Sequence, residues 1–366
     1  MRAVGLCFVL AACSAAPSTT PPPPDTDGAV APIAANDAAS DASAKEESTG
    51  ELPDVATPPP TGAIEHVLTI AFENEASGGI YGNALASYFN TLISTYAAAD
   101  DYVDDLASAI PSEPHYVEME AATNAFSDYT YTLDVPPSAS NSSKTKAHLS
   151  NLLDAAGISW RAYEEGIDPT TGACPVANGA SNGPSDSNYV ARHDPFVLFQ
   201  DVSFTNGQPD PNNAYCKGHV VDFSQLAGDI ANDTIARYDF ITPNLCDDMH
   251  VQGCGNENVQ QKVIDANAWL ETQMKYILPY VLDESHHAVL FLIWDEPEGL
   301  PAMPFVVVSP HVASAGYRSK TALGHASYVR SLQEIFGVSP ANGVPFLGKA
   351  GGVNDFSDFF QKGYFP

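Results

Sequence analysis

The chain has 366 residues, 44% hydrophobic and 10% aromatic, enough to build one large core or two ordinary ones, which excludes a wholly disordered protein. Its 45 acidic and 15 basic residues leave a formal net charge of −30, so its field repels nucleic acid and anionic membrane surfaces. A phosphate-bearing substrate would have to be held against that field by local chemistry, such as a bound cation or a few placed His and Arg side chains.

The opening residues, M-R-A-V-G-L-C-F-V-L-A-A-C-S, join one Arg to an apolar run too short for a membrane span and read as an export signal. Leu10-Ala11-Ala12-Cys13 resembles the bacterial lipoprotein cleavage box, which implies a signal over residues 1–13 with a lipid on Cys13. Residues 14–62 are mostly Ala, Pro, Ser, Thr and Asp, a composition that cannot bury enough surface to fold and reads as a disordered tether. The folded domain is expected over residues 63–366, exported and attached to a membrane only through the N-terminal lipid. Four cysteines fall within it: Cys174, Cys216, Cys246 and Cys254. An even number in an exported protein predicts two disulfides, and Cys246 with Cys254 is favoured because the loop between them is short.

Along the domain, H-V-L-T-I-A-F at 66–72 reads as a strand, residues 84–96 as a helix, and K-A-H-L-S-N-L-L-D-A-A-G at 146–157 as a helix closed by Gly157. Strands come next at 158–163 and 237–241, then a helix at 266–280, strands at 288–294 and 304–310, and a helix over 327–337. The 165–220 region, rich in Gly, Asn, Pro, Ser and Asp and holding two Cys, reads as a stapled loop or lid. Alternating strands and helices predict an α/β fold: a doubly wound, mostly parallel sheet with helices on both faces.

Two of the strands end alike. H-V-L-T-I-A-F runs into Glu73-Asn74, and A-V-L-F-L-I-W runs into Asp295-Glu296. If both strands are central and parallel, four oxygen ligands converge at one sheet edge, where ligands bind in such folds. Carboxylates so close are stable with a cation between them, so a divalent ion is expected, with Ca, Mg, Mn and Zn all open.

Several motifs occur in order: E-N after the first strand, P-S-E-P-H-Y at 111–116, H-L-S-N-L-L-D-A-A-G-I-S-W-R-A-Y-E-E at 148–165, R-H-D-P-F at 192–196, F-I-T-P-N-L-C-D-D-M-H at 240–250, W-D-E-P-E-G at 294–299, and G-H-A-S-Y-V-R-S-L-Q-E-I-F-G at 324–337. Over residues 64–360 the chain resembles the bacterial phosphoesterase family, which includes secreted acid phosphatases and phospholipase C enzymes and belongs to the alkaline phosphatase superfamily. The resemblance implies a metal at Glu73, Asn74, Asp295 and Glu296, and a nucleophile at the start of the helix that opens K-A-H-L, where the helix N-terminus favours an anion. His148 aligns there and could become a phosphohistidine, with Thr145 and Ser143 as substitutes. His193 and His250 would contact phosphate oxygens or protonate the leaving group. His325 and His115 are further candidates. Relatives carry a His where this chain has Ile110 and an Asn where it has His115.

The function expected is hydrolysis of phosphate monoesters through a phosphoenzyme, acting on a small phosphoester or a phospholipid head group. The alternatives are a phosphodiesterase of phospholipase C type, for which the aromatic tail F-S-D-F-F-Q-K-G-Y-F-P could line an apolar groove though it reads rather as core packing and a C-terminal anchor, and a catalytically weakened phosphate-binding lipoprotein.

Overall fold

A computed structural model describes residues 63–106, 110–179, 188–250, 258–299 and 301–366. The signal, Cys13 and the tether lie outside them. Among the described residues ten strands are formed: β1 (His66–Phe72), β2 (Ala97–Ala99), β3 (Trp160–Glu164), β4 (Phe204–Thr205), β5 (Gln208–Pro209), β6 (Val220–Asp222), β7 (Tyr238–Thr242), β8 (Ala288–Trp294), β9 (Phe305–Val308) and β10 (Tyr317–Ser319). Eight make one sheet in the order β10-β2-β9-β8-β1-β7-β3-β6, while β4 and β5 form a small hairpin. Within the eight, β9 runs antiparallel to β8 and β2, and the block β8-β1-β7-β3-β6 is parallel throughout.

The central strands are apolar at nearly every position because both faces are covered. All seven residues of β8 are buried, and in β1 only the first is not. The longer helices among the described residues are α1 (Ser87–Thr95), α2 (Ser112–Ala121), α3 (Leu149–Ala155), α4 (Val259–Leu282) and α5 (His325–Ile335), with α4 against β8, α1 against β2 and β9, and α3 against β3. Helix α2 packs on α5, and α1 on α4. The predicted strands and helices are present, with boundaries moved by a few residues; the helix expected over 266–280 begins earlier, at Val259.

Several elements have no counterpart in the sequence-based reading, among them α2, β2 and β10. Helix α2 begins in P-S-E-P, where Pro111 precedes the helix and Pro114 falls in its first turn, a place where a missing N–H costs no hydrogen bond. Strand β2 is A-A-A, too short and too poor in β-formers to stand out. β10 is as short.

The 165–220 region is more structured than a loop, holding the β4–β5 hairpin and a helix over Ala214–His219. It is stapled by Cys174–Cys216. Cys246 is disulfide-bonded too. Its expected mate, Cys254, lies outside the described residues. The aromatic tail packs as core: Phe356, Phe359, Phe360, Tyr364 and Phe365 are buried.

Candidate active site

Strands β1 and β8 pair in register from His66 opposite Ala288 to Phe72 opposite Trp294, so the next residues, Glu73 and Asp295, leave the sheet side by side. The Asp295 amide donates to the Phe72 carbonyl at 3.0 Å, and the Glu73 amide donates to the Asp248 carbonyl at 2.7 Å, fixing both exits. Asn74 and Glu296 come next, and the Asn74 side chain lies beside the Glu296 carboxylate. Lys262 of α4, buried, ties the two exits together. Its Nζ donates to the Asn74 carbonyl at 2.8 Å and to Glu298 Oε2 at 2.7 Å, and stands 3.4 Å from Glu75.

Into this edge points Ser112, the first residue of α2. Its Oγ lies 3.2 Å from Glu73 Oε2 and 3.4 Å from Glu296 Oε1. The hydroxyl also eases Asp295 without closing a hydrogen bond of good geometry. His193 Nε2 stands 3.1 Å from Glu73 Oε1 and Nδ1 3.5 Å from Asp248 Oδ2, with the ring stacked on Tyr116. Glu73, His193 and His250 each present a ligand atom within 4.8 Å of the others. Arg192 reaches toward the cluster while paired to Asp134 at 2.9 Å, and Asp134 accepts from the Glu113 amide in the first turn of α2.

The cluster is electrostatically unresolved. Glu73 and Asp295 are fully buried, and Glu73 Oε1 with both carboxyl oxygens of Asp295 have no hydrogen-bond partner among the described residues. Burial pushes Glu73 up to about 7, with Arg192 opposing and Glu296 adding to the rise. Burial, with Glu73 and Glu296, holds Asp295 well above the usual carboxylate range. Asp248 is raised by burial and by Glu73. Burial, then Arg192 and His250, press His193 well below its ordinary value, so that ring is neutral. Buried acids whose charged forms are disfavoured for want of a partner, with an amide and a hydroxyl alongside, are a donor set that fits a divalent cation.

The residues expected from sequence divide. Glu73, Asn74, Asp295, Glu296, His193 and His250 meet at one edge. His148 does not join them. It caps α3 with extended backbone, its Nδ1 lies 3.0 Å from Ser150 Oγ and 3.2 Å from Glu120, and its Nε2 is 3.1 Å from Asp201. With both nitrogens engaged and the ring stacked on Phe199 at 4.2 Å, it is placed as a structural ion pair. Thr145 caps the Ala147 amide and Ser143 donates to Asp128, and neither hydroxyl bonds to the cluster. His325 and His115 group instead with Asp104 next door. Ile110 turns its carbonyl to His115 Nε2, 3.2 Å away, and that nitrogen lies 3.7 Å from Glu296, so an imidazole does approach the site from the other end of P-S-E-P. Ser112, Asp248 and Lys262 are absent from the residues expected from sequence; for Ser112 the readable signal is a Ser held between two prolines at a helix start.

The model of the Phosphoesterase family matches residues 68–339, and the chain belongs to that family. It is 30% identical over 140 residues to a probable acid phosphatase of Kluyveromyces lactis, covering 38% of this chain and 29% of that protein. It is 24% identical over 275 residues to a phosphatidylinositol-3-phosphatase of Mycobacterium tuberculosis, covering 75% of this chain and 77% of that one. The chain thus spans under a third of the length of the first relative and about three-quarters of the second. A solved protein of the alkaline phosphatase superfamily from Vibrio parahaemolyticus aligns at TM-score 0.43 and 10% identity, covering 76% of this chain and 68% of that one.

Proposed function

We propose that this protein hydrolyses phosphate monoesters, with Ser112 as nucleophile and a divalent cation held by Glu73, Asn74, Asp295 and Glu296. One observation carries the reading: a buried serine hydroxyl at the N-terminus of a ten-residue helix, bridging two carboxylates from different strand ends. Family membership and the phosphatase relatives support the class of reaction.

Glu73 and Glu296 are within reach to take the Ser112 proton as its oxygen attacks phosphorus. The α2 amides and helix dipole favour the negative oxygens of the phosphoryl group carried on Ser112. His250, close to Glu73, is placed to deliver a proton to the departing alkoxide, and the neutral His193 ring to take one from the hydrolytic water. A bound cation would neutralise the carboxylates and polarise a phosphoryl oxygen. The nucleophile therefore moves from His148 to Ser112.

The test is a panel of a chromogenic phosphomonoester and a phosphocholine diester, with and without chelator. The reading expects faster turnover of the monoester and loss of activity on chelation; diester preference, or activity indifferent to chelator, would contradict it. We also propose that the protein is exported and held to a membrane by a lipid on Cys13. The Cys174–Cys216 disulfide supports an oxidising compartment. Metabolic labelling with palmitate, lost on Cys13→Ser, checks the anchor.

A further inference from the structure

Beside the acidic edge lies a second cluster of different chemistry. Asp104, His115 and His325 come from three segments: the stretch after the Tyr102–Leu323 bridge, the second turn of α2, and the first residue of α5. Each offers a ligand atom within 4.8 Å of the other two. His115 and His325 are almost wholly buried, and the Asp104 side chain is 4% exposed.

The hydrogen bonds fix which nitrogens are free to ligate. A carbonyl oxygen can only accept, so His115 Nε2 donates to Ile110 O at 3.2 Å and His325 Nε2 donates to Asp295 O at 2.6 Å. In the neutral rings both lone pairs are then on Nδ1. His325 Nδ1 accepts from the Tyr102 hydroxyl at 3.1 Å. His115 Nδ1 has no such donor: it faces Asp104 Oδ2 at 2.9 Å, off the line of an N–H bond, so acceptor meets acceptor in a dry place. Only a second ring proton or a metal ion resolves that contact. Imidazoles that pin one N–H on a backbone carbonyl and turn the other nitrogen to a carboxylate have the arrangement of metal-ligating histidines.

We propose that Asp104, His115 and His325 form a second divalent cation site, distinct in ligand type from the all-oxygen set at Glu73, Asn74, Asp295 and Glu296. Two imidazoles and one carboxylate select a borderline-soft ion such as zinc over calcium or magnesium, and three protein ligands leave a position open to water or a phosphate oxygen. The two sites touch, since His115 Nε2 lies 3.7 Å from Glu296 and His325 is anchored on the Asp295 backbone.

The experiment strips the full chain with chelator, reloads it with zinc alone, removes free metal, and counts zinc by elemental analysis, with cobalt absorption as a parallel readout of nitrogen ligation. About two equivalents are expected for the native chain and about one for His115→Asn, with the nitrogen-ligated cobalt bands weakened in that variant. Tyr102→Phe removes the hydroxyl that competes for His325 Nδ1 and is expected to tighten zinc binding several-fold, a check that stands if His115→Asn fails to fold. One equivalent in the native chain, unchanged in His115→Asn and untouched by Tyr102→Phe, overturns the second site and leaves only a His115–Asp104 ion pair, with the hydrolytic reading intact. No bound metal at all overturns both.

Discussion

Glu73 and Asp295 stand side by side because β1 and β8 run parallel and in register up to Phe72 and Trp294, so two carboxylates leave adjacent strands at the same height. Burial of both, with Ser112 reaching from α2, turns a sheet edge into a concentrated site of unmet charge. Sequence distance, more than 200 residues, is closed by strand pairing alone.

That geometry separates Ser112 from His148. Ser112→Ala is expected to lower kcat for a phosphomonoester by about 10³-fold or more, as loss of a nucleophile does, while His148→Gln leaves kcat within about 10-fold. Steady-state kinetics on the two variants checks this, and equal losses would mean His148 takes part in the chemistry.

Lys262 clasps the two strand exits from outside the reacting atoms. Lys262→Met should weaken divalent cation binding by about 10- to 100-fold, the usual cost of disturbing groups that orient ligands, with Lys262→Arg restoring part of it. Titration calorimetry of the chelator-treated protein measures the change.

Much of the fold is readable in the chain. A-V-L-F-L-I-W and H-V-L-T-I-A-F announce buried parallel strands because neither alternates, and the carboxylates that end them are conspicuous for the same reason. Ser112 is not, because Pro111 and Pro114 look like helix breakers and α2 is buried at all ten positions, leaving no apolar stripe to trace. His148 does begin a helix, as expected. Two helices begin with a polar residue near the sheet, however, and only the three-dimensional path shows which aims at the strand ends. The Asp104 cluster joins residues from three segments with no shared motif, so spacing carries no sign of it.

His148 makes its own prediction about pH. Burial disfavours its charge, yet hydrogen bonds to Asp201 and Glu120 lift it to about 9 from 6.5. The folded state therefore binds a proton that the unfolded state releases between those values. The stabilisation, about 3 kcal/mol at most, is complete below about pH 6.5 and drains away as pH rises toward 9. Urea unfolding at pH 6 and pH 9 should show that loss in the native chain and a flatter profile in His148→Gln.

Asp239 in β7 runs on the same principle with a carboxyl group. Burial holds it well above 3.8, and its Oδ2 has no hydrogen-bond partner among the described residues. Here too the folded state binds the extra proton, so stability falls as pH climbs above the ordinary Asp range. Asp239→Asn, which cannot ionise, is expected to be more stable than the native chain at pH 8 by roughly 1–3 kcal/mol, with the gap narrowing toward pH 4. Thermal melts across that range decide it.

The chemistry at Ser112 is tested most directly by quenching the enzyme during turnover of a phosphomonoester and locating the phosphoryl group by mass spectrometry under both acidic and alkaline work-up. Phosphoserine survives acid and is lost in alkali, whereas phosphohistidine does the reverse. Acid-stable phosphate on the peptide holding Ser112 is the predicted result; acid-labile phosphate on the peptide holding His148 would contradict the account.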